Sequence, residues 1–154
     1  MATAKHAPSQ VITAALGRYD PAIVKVVLAA RRAMRRQFPG AVELVYDNYN
    51  ALVFAYGPSE HASLAPFSLA AYPRWVNLFF FNGASLPDPL RLLQGSGRQV
   101  RSIRLASAAM LEDPPVQALL MAAVDRMPEP FPDGRGRTAI RAIATQRRSR
   151  RPTR

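Results

Sequence analysis

A short polar and aromatic cluster is the first part of the sequence whose side chains could recognise a ligand. Residues 46–50 read YDNYN, which places two phenols, two amides and one carboxylate at consecutive positions. Arginines recur near residue 100, in a segment that predicts a strand. Brought together in the fold, the two regions could line a polar pocket. The predicted ligand-binding residues are therefore Tyr46, Asn48, Tyr49, Arg98, Arg101 and Arg104.

Strand alternation limits how these arginines can act. On a strand, Arg104 shares one face with Ser102, whereas Arg101 shares the other face with Ile103. We therefore expect at most one of these two arginines to face a given site. The alternative for residues 46–50 is that the tyrosines pack at a sheet edge and keep their hydroxyls in water.

The glycine-rich segment at residues 95–98 (GSGR) suggests an anion-binding loop, since glycines let successive backbone N–H groups point at one ligand. Phosphate loops of nucleotide-binding proteins, however, run from a strand into the N-terminus of a helix. Here the segment is followed by a predicted strand. Because a strand and not a helix follows the segment, a glycine turn that leads into the strand is a better interpretation than an anion-binding loop.

The chain is poorly supplied with groups for metal or acid–base chemistry. It has no cysteine and only two histidines, His6 and His61. One histidine beside Glu60 does not make a metal site, and no two carboxylates are spaced for general acid–base catalysis. We expect a non-enzymatic protein with no metal site and no cofactor.

Positive charge is concentrated toward the C-terminal end of the sequence. The chain has 21 lysines and arginines against 10 acidic residues, for a formal net charge of +11. Eight of the arginines lie in residues 135–154, which contain no acidic residue. Because like charges repel and the run RRSRRPTR offers no apolar anchor, we expect disorder after about Arg147 and little contribution of residues 135–154 to stability.

This arginine-rich tail also predicts electrostatic contact with a polyanion. The binding would be weak and indifferent to nucleic-acid sequence, through Arg147, Arg148, Arg150 and Arg151. Polyanion binding through the tail is thus the alternative to a site on the folded part. A terminus that only aids solubility is the remaining interpretation.

Periodicity places helices at the ends of the chain and strands between them. Apolar residues recur at helical spacing over residues 20–37, which start with an Asp20 N-cap and Pro21. A second helix is predicted after an Asp113 N-cap. Residues 43–50 are either a short strand or an irregular lead-in. Clearer patterns predict strands at residues 52–56, 67–72, 75–82 and 99–107, and a short helix at residues 138–146.

Consecutive strands with short links predict an antiparallel meander. With helices before and after it, the fold class is α+β, an antiparallel sheet of about four to five strands covered by an N-terminal and a C-terminal helix. We expect a flexible segment at residues 1–19, one folded domain at residues 20–127, and a linker with the arginine-rich tail at residues 128–154.

Several sequence features occur together between residues 20 and 127. They are a leading helix that ends at Pro39, Glu43 followed by Tyr46, an apolar run at residues 78–81, a Leu-x-Asp-Pro segment at residues 86–89, and a Leu-x-Gly-x-Gly turn before a basic strand at residues 93–104. This combination resembles the YdhG-like family, also called domain of unknown function 1801. The resemblance implies a small α+β domain with a sheet flanked by terminal helices, in a family without a settled activity.

Some relatives in that family are described as iron chaperones with a frataxin-like shape. An iron-delivering surface needs clustered carboxylates as oxygen ligands. The predicted first helix instead has five basic residues and a single acidic one, Asp20. The iron role is therefore a disfavoured alternative for this chain.

No segment resembles an export signal or a membrane helix. The first residues lack the apolar core of a signal peptide, and the run WVNLFFF is far shorter than the roughly 20 residues that span a bilayer. We therefore expect a cytoplasmic, single-domain, non-enzymatic module that binds an unknown small ligand or protein partner.

Overall fold

Three α-helices and six strands make up the described part of the chain, residues 7–141 and 143 of a computed structural model. The helices are α1 (Pro8–Leu16), α2 (Pro21–Gln37) and α3 (Pro114–Asp125). The strands are β1 (Val42–Asn48), β2 (Ala51–Gly57), β3 (Phe67–Ala71), β4 (Val76–Phe80), β5 (Arg101–Leu105) and β6 (Thr138–Ile140). Helices precede and follow the first five strands, which confirms the α+β class.

Local signals account for two of the helices that the sequence predicts, α2 and α3. Asp20 accepts a hydrogen bond from the Ala22 N–H at 2.9 Å, and Pro21 fills the first turn of α2, where a missing N–H costs nothing. α3 likewise starts with prolines after Asp113, although the Asp113 side chain makes no capping bond. The buried residues of α2, spaced by three and four, are Val27, Ala30 and Met34.

The strands form one mixed sheet in the order β5-β4-β3-β2-β1-β6. The first five strands pair with their sequence neighbours in antiparallel orientation, as a meander requires. β6 pairs with β1 in parallel. The sheet is therefore neither strictly antiparallel nor limited to four or five strands, which corrects that part of the prediction.

The sixth strand comes from a segment predicted to be helical. The Glu43 N–H donates to the Arg137 carbonyl at 2.9 Å, and the Arg141 N–H donates to the Val45 carbonyl at 2.7 Å. These bonds satisfy backbone groups along the edge of β1, which a helix at residues 138–146 would leave open. Pairing with β1 therefore decides the conformation of these residues.

α1 lies within the segment predicted to be flexible. Ile12 and Leu16 are each 1% exposed and belong to the same apolar core as α2. A nine-residue helix is not stable in isolation, so its formation depends on this packing. Residues 1–19 thus include a core helix, although residues 1–6 lie outside the described residues.

The predicted linker after residue 127 is also part of the fold. The Phe131 ring lies 5.6 Å from the Phe38 ring, between centroids, and 6.3 Å from the Phe67 ring. The Gly136 N–H donates to the Pro39 carbonyl at 2.6 Å. A Cβ at Gly136 would overlap the backbone of Ala41, so only glycine lets the two segments approach this closely.

No helix in the described part of the chain is long and apolar enough to cross a membrane.

Candidate functional site

The two faces of the sheet have different neighbours. The inner face packs against the helices, and its core includes Phe54, Leu69 and Leu78 from the central strands. On the other side, the two small apolar clusters contain no residue from α1, α2 or α3, as far as the described residues show. We call this side the outer face. Its strand positions include Leu44, Tyr46, Asn48, Ala51, Val53, Ala55, Ser68, Ala70, Asn77, Phe79, Ser102 and Arg104.

Aromatic rings cover the centre of the outer face. Ala51 and Ala70 are each only 1% exposed, because larger neighbours lie over them. Those neighbours are Tyr46, Tyr72 and Phe79, all of them half-buried. Burial raises the pKa of Tyr46 and of Tyr72 above the ordinary value, so both phenols are neutral at physiological pH. The surface offered to a partner is thus largely aromatic and uncharged.

One corner of the outer face combines stacked rings with a cation. The turn between β3 and β4 closes with a hydrogen bond from the Tyr72 N–H to the Trp75 carbonyl at 2.8 Å. The two rings stack, with centroids 5.1 Å apart and planes 25° apart. The guanidinium carbon of Arg104 lies 4.8 Å from the Trp75 ring centroid, within cation–π range. This corner therefore brings two aromatic rings and one cation together.

Two of the predicted site residues share a row on this face. The register runs from Tyr46 through Val53, Ala70 and Asn77 to Arg104. Four strand spacings separate the ends of this row, a distance of about 19 Å. Tyr46 and Arg104 therefore face the same way but do not enclose a small pocket.

The other predicted site residues lie apart from this row. Tyr49, at the tip of the β1–β2 turn, is 86% exposed and has a φ of 55°, a strained value for a bulky residue. Asn48 ends β1 beside it. Arg98 is exposed in its loop, whereas Arg101 donates to the carbonyls of Gly97 at 2.7 Å and Val100 at 2.8 Å. The three arginines do not converge on one ligand site.

A buried carboxylate on the inner side escaped the prediction of site residues. Glu43 is 2% exposed and accepts hydrogen bonds from the Arg31 guanidinium at 2.8 and 3.0 Å. The Tyr56 and Thr138 hydroxyls also donate to it, each at 2.8 Å. Burial alone would lower the pKa of Arg31, but the hydrogen bond and charge of Glu43 raise it overall. A charged residue within an apolar strand was the available signal. Because these donors engage its oxygens, Glu43 has a structural role: it joins β1 to α2, β2 and β6.

Glu60 forms an exposed cluster at one corner of the molecule. Arg137 and Arg141 pair with its two carboxylate oxygens at 2.6 and 2.7 Å. The hydrogen bond from Arg137, helped by the charge of Arg141, lowers the pKa of Glu60. Within residues 7–141 and 143, no three histidine, cysteine or acidic side chains come together as metal ligands.

A cavity of about 420 Å³ lies beside β5, at the start of α3. Loop, strand and helix residues line it, and most of them are apolar. They are Leu92, Gln94, Ile103, Arg104, Met110, Asp113, Pro114, Pro115 and Val116. Its volume falls within the usual range for small-molecule sites.

The predicted polyanion contacts, Arg147, Arg148, Arg150 and Arg151, lie outside the described residues. No family model, curated protein or solved structure matches this chain.

Proposed function

We propose that this chain is a cytoplasmic, non-enzymatic binding module of the YdhG-like type, and that the outer face of the sheet is its binding surface. The observation that carries the proposal is the Trp75 corner, where a stacked tyrosine and an arginine contact one indole, on a face against which α1, α2 and α3 do not pack in the described part of the chain. Aromatic and arginine side chains are the residues most enriched at binding hot spots.

The dimensions of the outer face favour an extended partner over a compact ligand. Tyr46 and Arg104 are about 19 Å apart on the same row, which exceeds the reach of a small molecule. Tyr72 and Phe79 pack against the small cluster that contains Ala70, between the two ends of the row. A chain or a protein surface laid across the strands would contact both ends.

Site-specific photo-crosslinking tests the proposal without a known ligand. A benzophenone amino acid placed at Asn77, on β4 of the outer face and paired with Arg104, should form adducts in cells. The same amino acid at Arg32, exposed on α2 in the helical layer, is the matched control. Adducts at Asn77 that are absent at Arg32 support the proposal. Equal adducts at both positions, or none at Asn77, would contradict it.

The cavity beside β5 favours a second candidate function, the binding of a small molecule. Its lining is mostly apolar, with Arg104 and Asp113 as charged groups. Met110→Trp should fill part of the cavity and abolish small-molecule binding, measured by calorimetry, while leaving the Asn77 adducts unchanged. Loss of both would show that the cavity and the outer face are one site.

A further inference from the structure

We propose that the cavity beside β5 binds a short extended peptide, which pairs with the backbone of Arg104 as one more strand at the edge of the sheet. An apolar side chain of that peptide would enter the cavity. This inference rests on the second candidate function, since it names the ligand class of the same cavity.

The hydrogen bonds of Ser102 show which backbone groups of β5 face outward. The Ser102 N–H donates to the Gln94 carbonyl at 2.9 Å, and the Gln94 N–H donates to the Ser102 carbonyl at 2.8 Å. β4 pairs with the other side of β5. Because backbone groups alternate in direction along a strand, the N–H and carbonyl of Arg104 also point away from β4. They lie along the edge that the cavity adjoins.

This edge is covered on both sides of Arg104 but not at Arg104 itself. Gln94 covers Ser102, and the Ala106 N–H donates to Met110 Sδ at 3.3 Å. In the described part of the chain, the N–H and carbonyl of Arg104 have no hydrogen-bond partner. An N–H and a carbonyl of this kind are what an added strand binds. The space between Ser102 and Ala106 fits about three extended residues.

Asp88 explains why the preceding loop leaves Arg104 uncovered. Continuing the pairing of Gln94 in antiparallel register would place Leu92 opposite Arg104. The Asp88 carboxylate instead accepts hydrogen bonds from the N–H groups of Leu92 and the next residue, at 2.9 and 2.8 Å. The Leu92 N–H is therefore not available to β5. The Leu-x-Asp-Pro segment thus keeps this part of the edge accessible.

The inner side of the cavity suits an aliphatic side chain. Residues directly opposite each other in a sheet point to the same face, so a peptide residue paired with Arg104 would point to the outer face. Its two neighbours would point to the inner face, as Ile103 does. Ile103 is 6% exposed and Val116 2%, and Leu92 and Met110 pack against the core. The cavity of about 420 Å³ can take an apolar side chain from one of these neighbours.

Charge around the cavity favours a basic peptide. Asp113 lines the cavity, Glu112 precedes it, and both are exposed. Among residues 7–141 and 143, neither carboxylate has a hydrogen-bond or ion-pair partner. The Arg104 guanidinium lies over the Trp75 ring on the outer face, so Arg104 contributes its backbone to this edge. Lysines beside the apolar residues of the peptide would complement Asp113 and Glu112.

Calorimetry with a designed pentapeptide and the full chain tests the proposal. The probe is acetylated and amidated Lys-Leu-Ala-Leu-Lys, whose alanine would pair with Arg104. Methylation of the alanine nitrogen removes the N–H that donates to the Arg104 carbonyl, so the affinity should fall about tenfold. Replacing both lysines by glutamates should weaken binding severalfold.

Variants of Arg104 separate its backbone from its side chain. Arg104→Pro removes the edge N–H, at a position where proline disrupts no hydrogen bond of the sheet, and should weaken binding about tenfold. Arg104→Ala removes the guanidinium and keeps the N–H, so the loss should be less than about twofold. Met110→Trp should abolish binding, because the indole fills the cavity. If Arg104→Pro fails to fold, the methylated peptide gives the same test on the unchanged protein.

Three results would overturn the inference. Equal affinities for the parent and methylated peptides would show that the cavity takes apolar groups without strand pairing, which leaves the second candidate function standing. Equal losses in Arg104→Pro and Arg104→Ala would place the contact on the guanidinium. No binding of the parent peptide would exclude this ligand class. The Asn77 adducts do not depend on the cavity, so they test the outer face whichever result is found.

Discussion

At Glu43, one carboxylate joins four elements of the fold. It belongs to β1 and accepts hydrogen bonds from Arg31 on α2, Tyr56 on β2 and Thr138 on β6. The donors are up to 95 positions away in sequence. Removing one donor from a buried carboxylate leaves its charge only partly hydrogen-bonded, which destabilises the fold. The stabilising effects of the four side chains should therefore depend on one another.

Glu43→Gln should lower the free energy of unfolding by about 3 kcal/mol, because the Arg31 guanidinium stays largely buried without its charged partner. Urea unfolding measures the change. Glu60→Gln is the matched control, since Glu60 also pairs with arginine but in an exposed position, where ion pairs contribute little. A comparable loss in both variants would show that the Glu43 cluster has no special role.

Alkaline stability should depend on Tyr56. Burial, and then the charge and hydrogen bond of Glu43, raise the pKa of Tyr56 well above its ordinary value of 10.0. The folded protein thus holds this proton more tightly than the unfolded chain does. The resulting stability is complete below pH 10 or so and is lost as the pH rises through the folded-state pKa.

Tyr56→Phe should remove this part of the alkaline loss. Unfolding free energies of both proteins, measured from about pH 8 to pH 11, give the comparison. The variant should lose less stability than the parent over the upper part of that range. Parallel curves would mean that other groups cause the alkaline loss.

At the scale of elements, β6 and the segment before it depend on contacts distant in sequence. Gly136 and Gly40 run so close to the opposite backbone that a Cβ at either position would overlap it. This close approach lets the chain return along the Pro39 turn and add a strand to β1. The segment therefore acts as a structural connection, although its composition resembles a linker.

Gly136→Ala should destabilise the protein by about 2 kcal/mol, since the new methyl group must displace the Ala41 backbone. Gly97→Ala is the control, because a Cβ there meets nothing within 4 Å. Thermal unfolding of both variants tests the difference. If Gly136→Ala unfolds like Gly97→Ala, the two segments are not held as closely as the structure indicates.

At the scale of the whole molecule, the first part of residues 135–154 packs into the fold. Thr138 donates to Glu43, and Ile140 and Ile143 pack against the core. For residues 138–141 and Ile143 these contacts argue against the expectation that the last twenty residues contribute little to stability. For residues 144–154 it stays a prediction.

Ending the chain after Asp133 should cost at least about 3 kcal/mol, because β6, its hydrogen bonds and the packing of Ile140 are lost. Ending it after Thr145 should leave the unfolding midpoint where it is in the full chain. Chemical denaturation of the two shortened chains makes the comparison. Equal midpoints for both would contradict a structural role for β6.

The sequence alone determined those helices and strands whose caps and apolar spacing lie within a few consecutive residues. The Asp20 cap and the apolar stripe predict α2, and alternation correctly places Arg104 with Ser102, opposite Ile103. Both patterns act over a few residues, where side-chain spacing and backbone geometry are directly linked.

Tertiary structure decided the features that bring distant residues together. α1 is too short for a clear period, and the three residues of β6 adopt a strand only because β1 offers an open edge. Strand order sets the distance between Tyr46 and Arg104. These two residues, predicted to line one pocket, therefore lie at opposite ends of one face. The partners of Glu43 follow from the same assembly. Contacts of this kind form only when the sheet and helices pack, because they join residues that are distant in sequence.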